Sequence, residues 1–282
     1  MSPTTLSPVA TESVSIEIGG IAVALRSHDS SFRRMVEHRY RGFVGNRPSP
    51  RVEFDIDLYD TDLYDPSEPA SPANQLNDQL EVKIEAGEWS LRRGDFRARW
   101  NPETMHGHIR QSCNPYATDS VLRIVHSLIL AKQGGFLVHA ASAIRNRKAF
   151  IFSGVSGAGK TTISRLAPAD ATLLTDEISY VRREGNRYLA CGTPFAGELA
   201  RVGENQSAPL SALFFLEKGR HNRIEPIAPA EAIQRLLRNI LFFAHDPELV
   251  KLVFQSVCEF ASVVPIHRLV FMPDQRVWDS IR

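Results

Sequence analysis

Gly154-Val155-Ser156-Gly157-Ala158-Gly159-Lys160-Thr161 fits the pattern G-x-x-x-x-G-K-[ST] without a substitution. The chemistry of such an octapeptide is phosphate binding. Gly157 and Gly159 let the backbone bend so that successive N–H groups face one point, and a following helix adds its positive end. Lys160 is then placed to reach the β- and γ-oxygens of ATP. Thr161 is placed to put its hydroxyl on the Mg²⁺ that bridges the same phosphates. Gly154, Ser156, Ala158 and Thr162 complete the expected nucleotide contacts.

A second constellation is Leu173-Leu174-Thr175-Asp176-Glu177, an apolar run that ends in two acids sixteen residues beyond Lys160. Adjacent strand residues point to opposite faces, so both carboxylates meet the phosphates only if the strand ends there and the chain turns. One can hold Mg²⁺ while the other accepts a proton from an incoming hydroxyl. His139 ends the run Phe136-Leu137-Val138; taken alone, such a histidine is more often a hydrogen-bonded structural residue than a catalytic one. His106 and His108 have metal-compatible spacing but no third ligand nearby. Asp55 and Asp57 read as the wet side of a strand over Val52 to Leu58.

These residues need elements to hold them. Ala149 to Ser153 reads as the strand before the glycine-rich loop, with a helix from Lys160 and a strand from Thr172 to Thr175 after it. Phe136 to Ala140 and Leu213 to Leu216 read as further buried strands, and Ser179 to Arg182 pairs with Tyr188 to Ala190 across Gly185-Asn186. This alternation predicts an α/β layer. A helix through Val121, Leu122, Val125, Leu128 and Ile129 precedes it, with Thr118 or Asp119 as its N-cap. Downstream, Ile233 to Leu241 and Leu249 to Val257 form two helical faces, followed by a strand over Arg268 to Met272 and a short tail helix.

Upstream, alternation dominates from Val14 to Trp100. A hairpin turning at Gly19-Gly20, strands near Val52 to Leu58 and Leu80 to Trp100, and one helix around Ser31 to Tyr40 predict an antiparallel sheet. The polar stretch Asp60 to Asp78, with Pro66, Pro69 and Pro72, is long enough for a mobile loop or a flap over a site, and reads more readily as a plain surface loop. The expected organisation is a lead-in over 1–13, a β-rich domain over 14–112 and a nucleotide-binding domain over 113–282.

Composition narrows the function classes. The 282 residues are 43% hydrophobic and 23% charged, as in folded soluble proteins. Net charge is +1, so no global field draws the chain to nucleic acid or anionic lipid. Cys113, Cys191 and Cys258 are odd in number and far apart, which suits a reducing cytoplasm rather than a disulfide framework. The most apolar stretches, Val121 to Ala131 and Ile240 to Ala244, are too short to span a membrane, and the first contains Arg123 and His126.

The order His139-Ala140-Ala141-Ser142, Phe152 to Thr162, Leu173 to Glu177 and Gly192-Thr193-Pro194-Phe195-Ala196-Gly197-Glu198 resembles the HPr kinase/phosphorylase group, whose fold is akin to phosphoenolpyruvate carboxykinase. It is most similar to the HPr-kinase-like serine kinases of ribosomal peptide clusters such as those of lasso peptides. The resemblance covers about half the chain. It implies a P-loop kinase core with a β-rich N-terminal domain, using ATP and Mg²⁺. By this likeness Asp176 is general base and Mg²⁺ partner, and Glu177 a supporting metal or hydroxyl contact. His139 lies close to the transferred phosphate, and Glu198 sits in a segment that closes over the site. Arg223 matches only weakly as a phosphate-binding guanidinium.

Two departures bear on the acceptor. The extended glycine-rich signature that typical HPr kinases carry after their paired acids is not present, and the second acid is Glu177. HPr is therefore not the expected acceptor; a serine of a peptide or protein is, with the β-rich half selecting it. The alternatives are a kinase for a small hydroxylated metabolite and a regulator that binds ATP without transferring phosphate. The resemblance also implies a homo-oligomer.

Overall fold

The computed structural model describes residues 12–45, 50–59, 80–199 and 202–281. The expected loop over 60–78 and most of the expected lead-in lie outside these. Glu12 and Ser13, assigned to the lead-in, instead belong to the first strand.

The chain forms a mixed α/β structure with two sheets and divides into two units, with the boundary after Thr118 and with Ile18–Gly20 counted in the second. The first sheet comprises β1 (Glu12–Ile18), β2 (Ile21–Ser27), β3 (Val52–Leu58), β4 (Glu81–Glu85), β5 (Glu88–Arg93), β6 (Phe96–Asn101) and β7 (His106–Gln111), with α1 (Ser30–Arg39) between β2 and β3. Its strand order is β1-β2-β3-β7-β6-β5-β4. Val52, Phe54 and Ile56 are buried, and so are Trp89 and Leu91, Ala98 and Trp100, and Ile109; the intervening polar residues face water, as a period of two demands.

The expectation of an antiparallel sheet is corrected in part. β2 and β3 run parallel, with α1 between them in sequence, and β3 and β7 run parallel, with β4 to β6 between them, so neither pair is a hairpin.

α2 (Pro115–Gln133) starts earlier than expected. The carboxamide oxygen of Asn114 accepts the N–H groups of Tyr116 and Ala117, both at 2.9 Å. Asn-Pro is here a cap followed by a proline in the first turn, a stronger start than Thr118 or Asp119.

The second sheet contains β8 (Phe136–Arg145), β9 (Lys148–Ser153), β10 (Ala171–Thr175), β11 (Ile178–Glu184), β12 (Arg187–Cys191), β13 (Ser207–Lys218), β14 (Arg223–Pro226), β15 (Ile240–Leu241) and β16 (Ile266–Phe271). The helices are α3 (Lys160–Arg165), α4 (Pro229–Leu237) and α5 (Pro247–Val263), with a 3₁₀ turn over Gln275–Ser280. Parallel pairing is limited to β9-β13-β16; the other pairs are antiparallel.

Alternate side chains feed two cores. Val138, Ile151, Leu213 and Phe215 pack with Leu236, Val257 and Phe260 from α4 and α5. Phe150, Phe152, Phe214 and Leu216 pack with Ile163 of α3 and with Trp278. The helical reading of Ile240 and Leu241 is corrected: α4 stops at Leu237, and these two residues pair with Val138 and Leu137 as a short strand. Among the described residues no helix is long and apolar enough to cross a membrane.

Candidate active site

β8 changes partners in its middle, and the candidate site lies at that fork. Its first half pairs with β11, with His139 opposite Ile178; its second half pairs with β9, with Ala140 opposite Ser153. Three segments therefore meet at His139-Ala140: the end of β9, where the glycine-rich loop starts, the Asp176-Glu177 bend, and β8 itself. The Ser153 hydroxyl donates to the His139 carbonyl at 3.1 Å, and the Ala140 N–H to the Glu177 carbonyl at 3.0 Å. The fork thus brings the start of the glycine-rich loop and the paired acids to one place.

The loop has the conformation its glycines permit. Gly157 and Gly159 have φ of 76° and 114°. A Cβ on Gly159 would come within 2.7 Å of the Phe271 ring, whereas one on Gly157 would meet nothing within 4 Å, so the loop is packed below and open above. Val155, Ser156 and Gly157 are exposed, and Ala158 is buried with its N–H on the Val155 carbonyl at 3.0 Å. α3 has only six residues, so the loop N–H groups matter more than a helix dipole. Thr162 lies in its first turn.

Lys160 is only 8% exposed. Its ammonium donates to the carbonyls of Gly154 at 3.1 Å and Val155 at 3.5 Å, and among the described residues it makes no ion pair. Burial lowers its pKa, opposed by the carboxylates of Glu177 and Glu198. A buried ammonium held by neutral carbonyls is a site for an anion, so the loop fits a nucleotide phosphate.

The strand-end turn that the paired acids require is present. Thr175 Oγ1 accepts the N–H groups of Glu177 and Ile178, each at 3.2 Å, and this hydroxyl turn separates β10 from β11. Asp176 is 2% exposed; its carboxylate accepts the N–H of Gly197 at 3.0 Å and of Leu199 at 2.9 Å. Glu177 is more open and faces His139, with Oε1 3.4 Å from Nε2. Its pKa is lowered, first by the hydrogen bond with His139 and then, against the opposing effect of burial, by the charges of His139, Lys160 and Arg123.

Gly197 closes the arrangement. A Cβ there would lie 2.7 Å from Oε2 of Glu177 and 3.0 Å from Oδ2 of Asp176, so only a glycine backbone passes this close to both acids. The next residue, Glu198, accepts a hydrogen bond from Thr161 Oγ1 at 2.9 Å. A hydroxyl beside a carboxylate is a hard oxygen pair that suits Mg²⁺, which takes its remaining ligands from phosphates and water.

His139, Lys160, Thr161, Asp176, Glu177 and Glu198 are thus linked through the loop and the 197–199 turn. Arg223 is instead on β14, paired with Glu225. His106 and His108 pair with Asp55 and Asp57 at 3.1 and 2.9 Å on the wet strand face.

The residue that sequence reasoning missed is Arg123. In the sequence it is a lone charge in an apolar helix, a signal that argues against a membrane span and marks no site. Its guanidinium lies over the Phe195 ring, 4.8 Å from the centroid, which ties α2 to the segment that carries Gly197.

No curated protein matches the chain. Among solved structures it is similar to the Hpr(Ser) kinase/phosphatase from Coxiella burnetii, with 15% identity and a TM-score of 0.23 over 42% of this chain and 93% of that one; so low a score does not define the fold. Residues 116–282, more than half of the chain and all of the site just described, match the family described as SynChlorMet cassette protein ScmC, and the chain belongs to that family.

Proposed function

We propose that this chain is an ATP- and Mg²⁺-dependent kinase that transfers the γ-phosphoryl group to a hydroxyl, that of a serine in a peptide or protein acceptor. One observation carries the reading. The Thr161 hydroxyl and the two acids 176 and 177 converge through hydrogen bonds and close approaches at Gly197 and Glu198, and the buried Lys160 ammonium lies within electrostatic reach of Glu177 and Glu198.

Lys160 would turn from the carbonyls of Gly154 and Val155 to the phosphates, gaining a closer charge partner than the carboxylates of Glu177 and Glu198. The loop N–H groups would hold the phosphate chain in place, and the Thr161 hydroxyl and a carboxylate would hold the metal. Bound Mg²⁺ supplies charge neutralisation at the transferring group. Asp176, Glu177 and His139 supply the proton acceptor. In the arrangement described, the carboxylate oxygens of Asp176 accept backbone N–H groups, while Glu177 has His139 to pass charge to; this favours the Glu177-His139 pair as the group that takes the acceptor's proton. Asp176 holds the 197–199 turn through the N–H groups of Gly197 and Leu199, and its carboxylate would also serve as a partner for Mg²⁺. Transfer by such a site is positioning and electrostatics rather than covalent chemistry.

The test is label transfer from γ-labelled ATP with Mg²⁺ in an extract of the source cells, with wild type, Lys160→Ala and Asp176→Asn compared. Label in polypeptide, absent with both variants, is the expected result. Label confined to a small metabolite moves the acceptor to that class. ATP binding with no transfer to any acceptor supports a regulator instead.

A further inference from the structure

The carboxyl ends of β10, β9, β13 and β16 lie along one edge of the second sheet, because β8 runs antiparallel to both β10 and β9, while β9, β13 and β16 are parallel. In order along that edge come the Asp176-Glu177 bend, the glycine-rich loop, and the chain that leaves β13. Phe215 of β13 is level with Ser153, and the strand continues to Lys218, so its end rises about 10 Å beyond the end of β9. β16 rises with it to Phe271, opposite Lys218, and Gly159 packs against the Phe271 ring. The two strands thus form a wall beside the loop.

From Gly219 to Asn222 the chain arches over the end of β16 and enters β14 on its far side. Both feet of the arch are tied. The Gly219 N–H donates to the Phe271 carbonyl at 2.9 Å, and the side-chain oxygen of Asn222 accepts the Met272 N–H at 3.0 Å. At the top stand Arg220 and His221, both exposed, and among the described residues neither side chain makes a hydrogen bond, ion pair or ring contact. Acids close by in sequence or at the end of β16 are engaged elsewhere: Glu217 with Arg235, Glu225 with Arg223, and Asp274 with Arg276.

In phosphoryl transfer the attacking and leaving oxygens lie roughly in line. Glu177 and His139, which serve the attacking hydroxyl, are on the β8 and β10 side of the glycine-rich loop. The leaving nucleotide therefore extends to the other side, where the wall carries the arch. We propose that the arch is the nucleoside subsite, with the purine of ATP stacked on the imidazole of His221 and the guanidinium of Arg220. Aromatic rings and guanidinium planes both take a base by its face. An arch tied at both feet holds these two groups with little left to order on binding. An acceptor peptide is the poorer occupant, since its hydroxyl must arrive from the opposite side. The inference rests on the proposed use of ATP and adds where its base is held.

The test is calorimetric titration of ATP and of inorganic tripolyphosphate, each with Mg²⁺, into the full chain and into His221→Ala and Arg220→Lys, with circular dichroism to confirm the fold. His221→Ala should weaken ATP at least about fivefold and Arg220→Lys at least about threefold, because an ammonium keeps the charge and loses the plane. Tripolyphosphate, which has no base, should change by less than about twofold in both. ATP affinity unmoved by either substitution overturns the subsite and leaves the ATP reading standing. A parallel loss of tripolyphosphate does the same, since it would give the arch to the phosphates. A wild-type chain that binds neither ATP nor tripolyphosphate overturns the subsite and the ATP reading together.

Discussion

Nε2 of His139 lies 3.4 Å from Oε1 of Glu177, and sheet register fixes that spacing, because β8 and β11 set His139 opposite Ile178, the residue after Glu177. The hydrogen bond is the largest cause of the lowered Glu177 pKa, whose ordinary value is 4.5. A carboxylate lowered by folding contributes stability that is full above its ordinary value and lost as pH falls through the lower folded one. The acid limb of transfer in the wild type is therefore expected below pH 4.5. His139→Gln should move it upward, since burial then acts with less opposition. A pH-rate profile checks this, and an unmoved limb would separate His139 from the ionisation of Glu177.

Lys160 should reveal a conflict between stability and function. Burial lowers its pKa, so folding favours the neutral amine, and stability from this group rises with pH through the window below 10.5. Removing the charge removes a cost to the nucleotide-free fold. Lys160→Met should leave Tm unchanged or raise it by up to about 4 °C, equivalent to at most ~1 kcal/mol, while ATP affinity falls at least about a hundredfold. Calorimetry with and without nucleotide measures both. A clear drop in Tm would mean that the ammonium's bonds to Gly154 and Val155 brace the loop.

The glycine-rich loop was legible because its spacing is itself the structure: two positive-φ positions and a lysine at fixed offsets need no distant partner. The strands around it were legible because β8, β9 and β13 alternate between two cores. The fork in β8 was not, since a ten-residue strand that changes partners at Ala140 looks in sequence like any apolar run. The parallel placement of β3 was hidden for the same reason, as register depends on where β7 returns from. Ile240 and Leu241 continued the helical period of α4 and were claimed instead by hydrogen bonds to β8. Arg123 and Gly197 act through contacts across 72 and 21 residues of sequence, to Phe195 and Asp176, which no local pattern encodes.

Arg123 should act on turnover rather than on nucleotide affinity. It lies over Phe195 and adds to the charges that keep Glu177 ionised. Arg123→Met should lower kcat about tenfold, with ATP affinity nearly unchanged. Arg123→Lys should recover little, because an ammonium does not stack on the ring as a planar guanidinium does. Steady-state kinetics with separate titration of ATP distinguish the effects; a parallel fall in affinity would place Arg123 on the phosphates.

Gly197 and Asp176 test whether the 197–199 turn is part of the working site. Asp176 anchors the turn through two backbone N–H groups, and Glu198 within it bonds Thr161, so the turn spans from the acids to the loop. Gly197→Ala would place a methyl 2.7 Å from Oε2 of Glu177 and 2.9 Å from its Cβ, which the turn can relieve only by lifting. The expected cost is ~1–3 kcal/mol of stability, with transfer reduced in step. Asp176→Asn keeps the shape but turns one acceptor into a donor that faces an N–H. It should retain ATP binding within about tenfold while transfer falls at least about a hundredfold, as loss of a carboxylate serving the metal would cause. If both variants lose transfer but only Gly197→Ala loses stability, Asp176 acts on the reaction as well as on the turn. If Asp176→Asn is destabilised equally and its remaining activity tracks its folded fraction, holding the turn is its whole role, and proton acceptance belongs to Glu177 and His139.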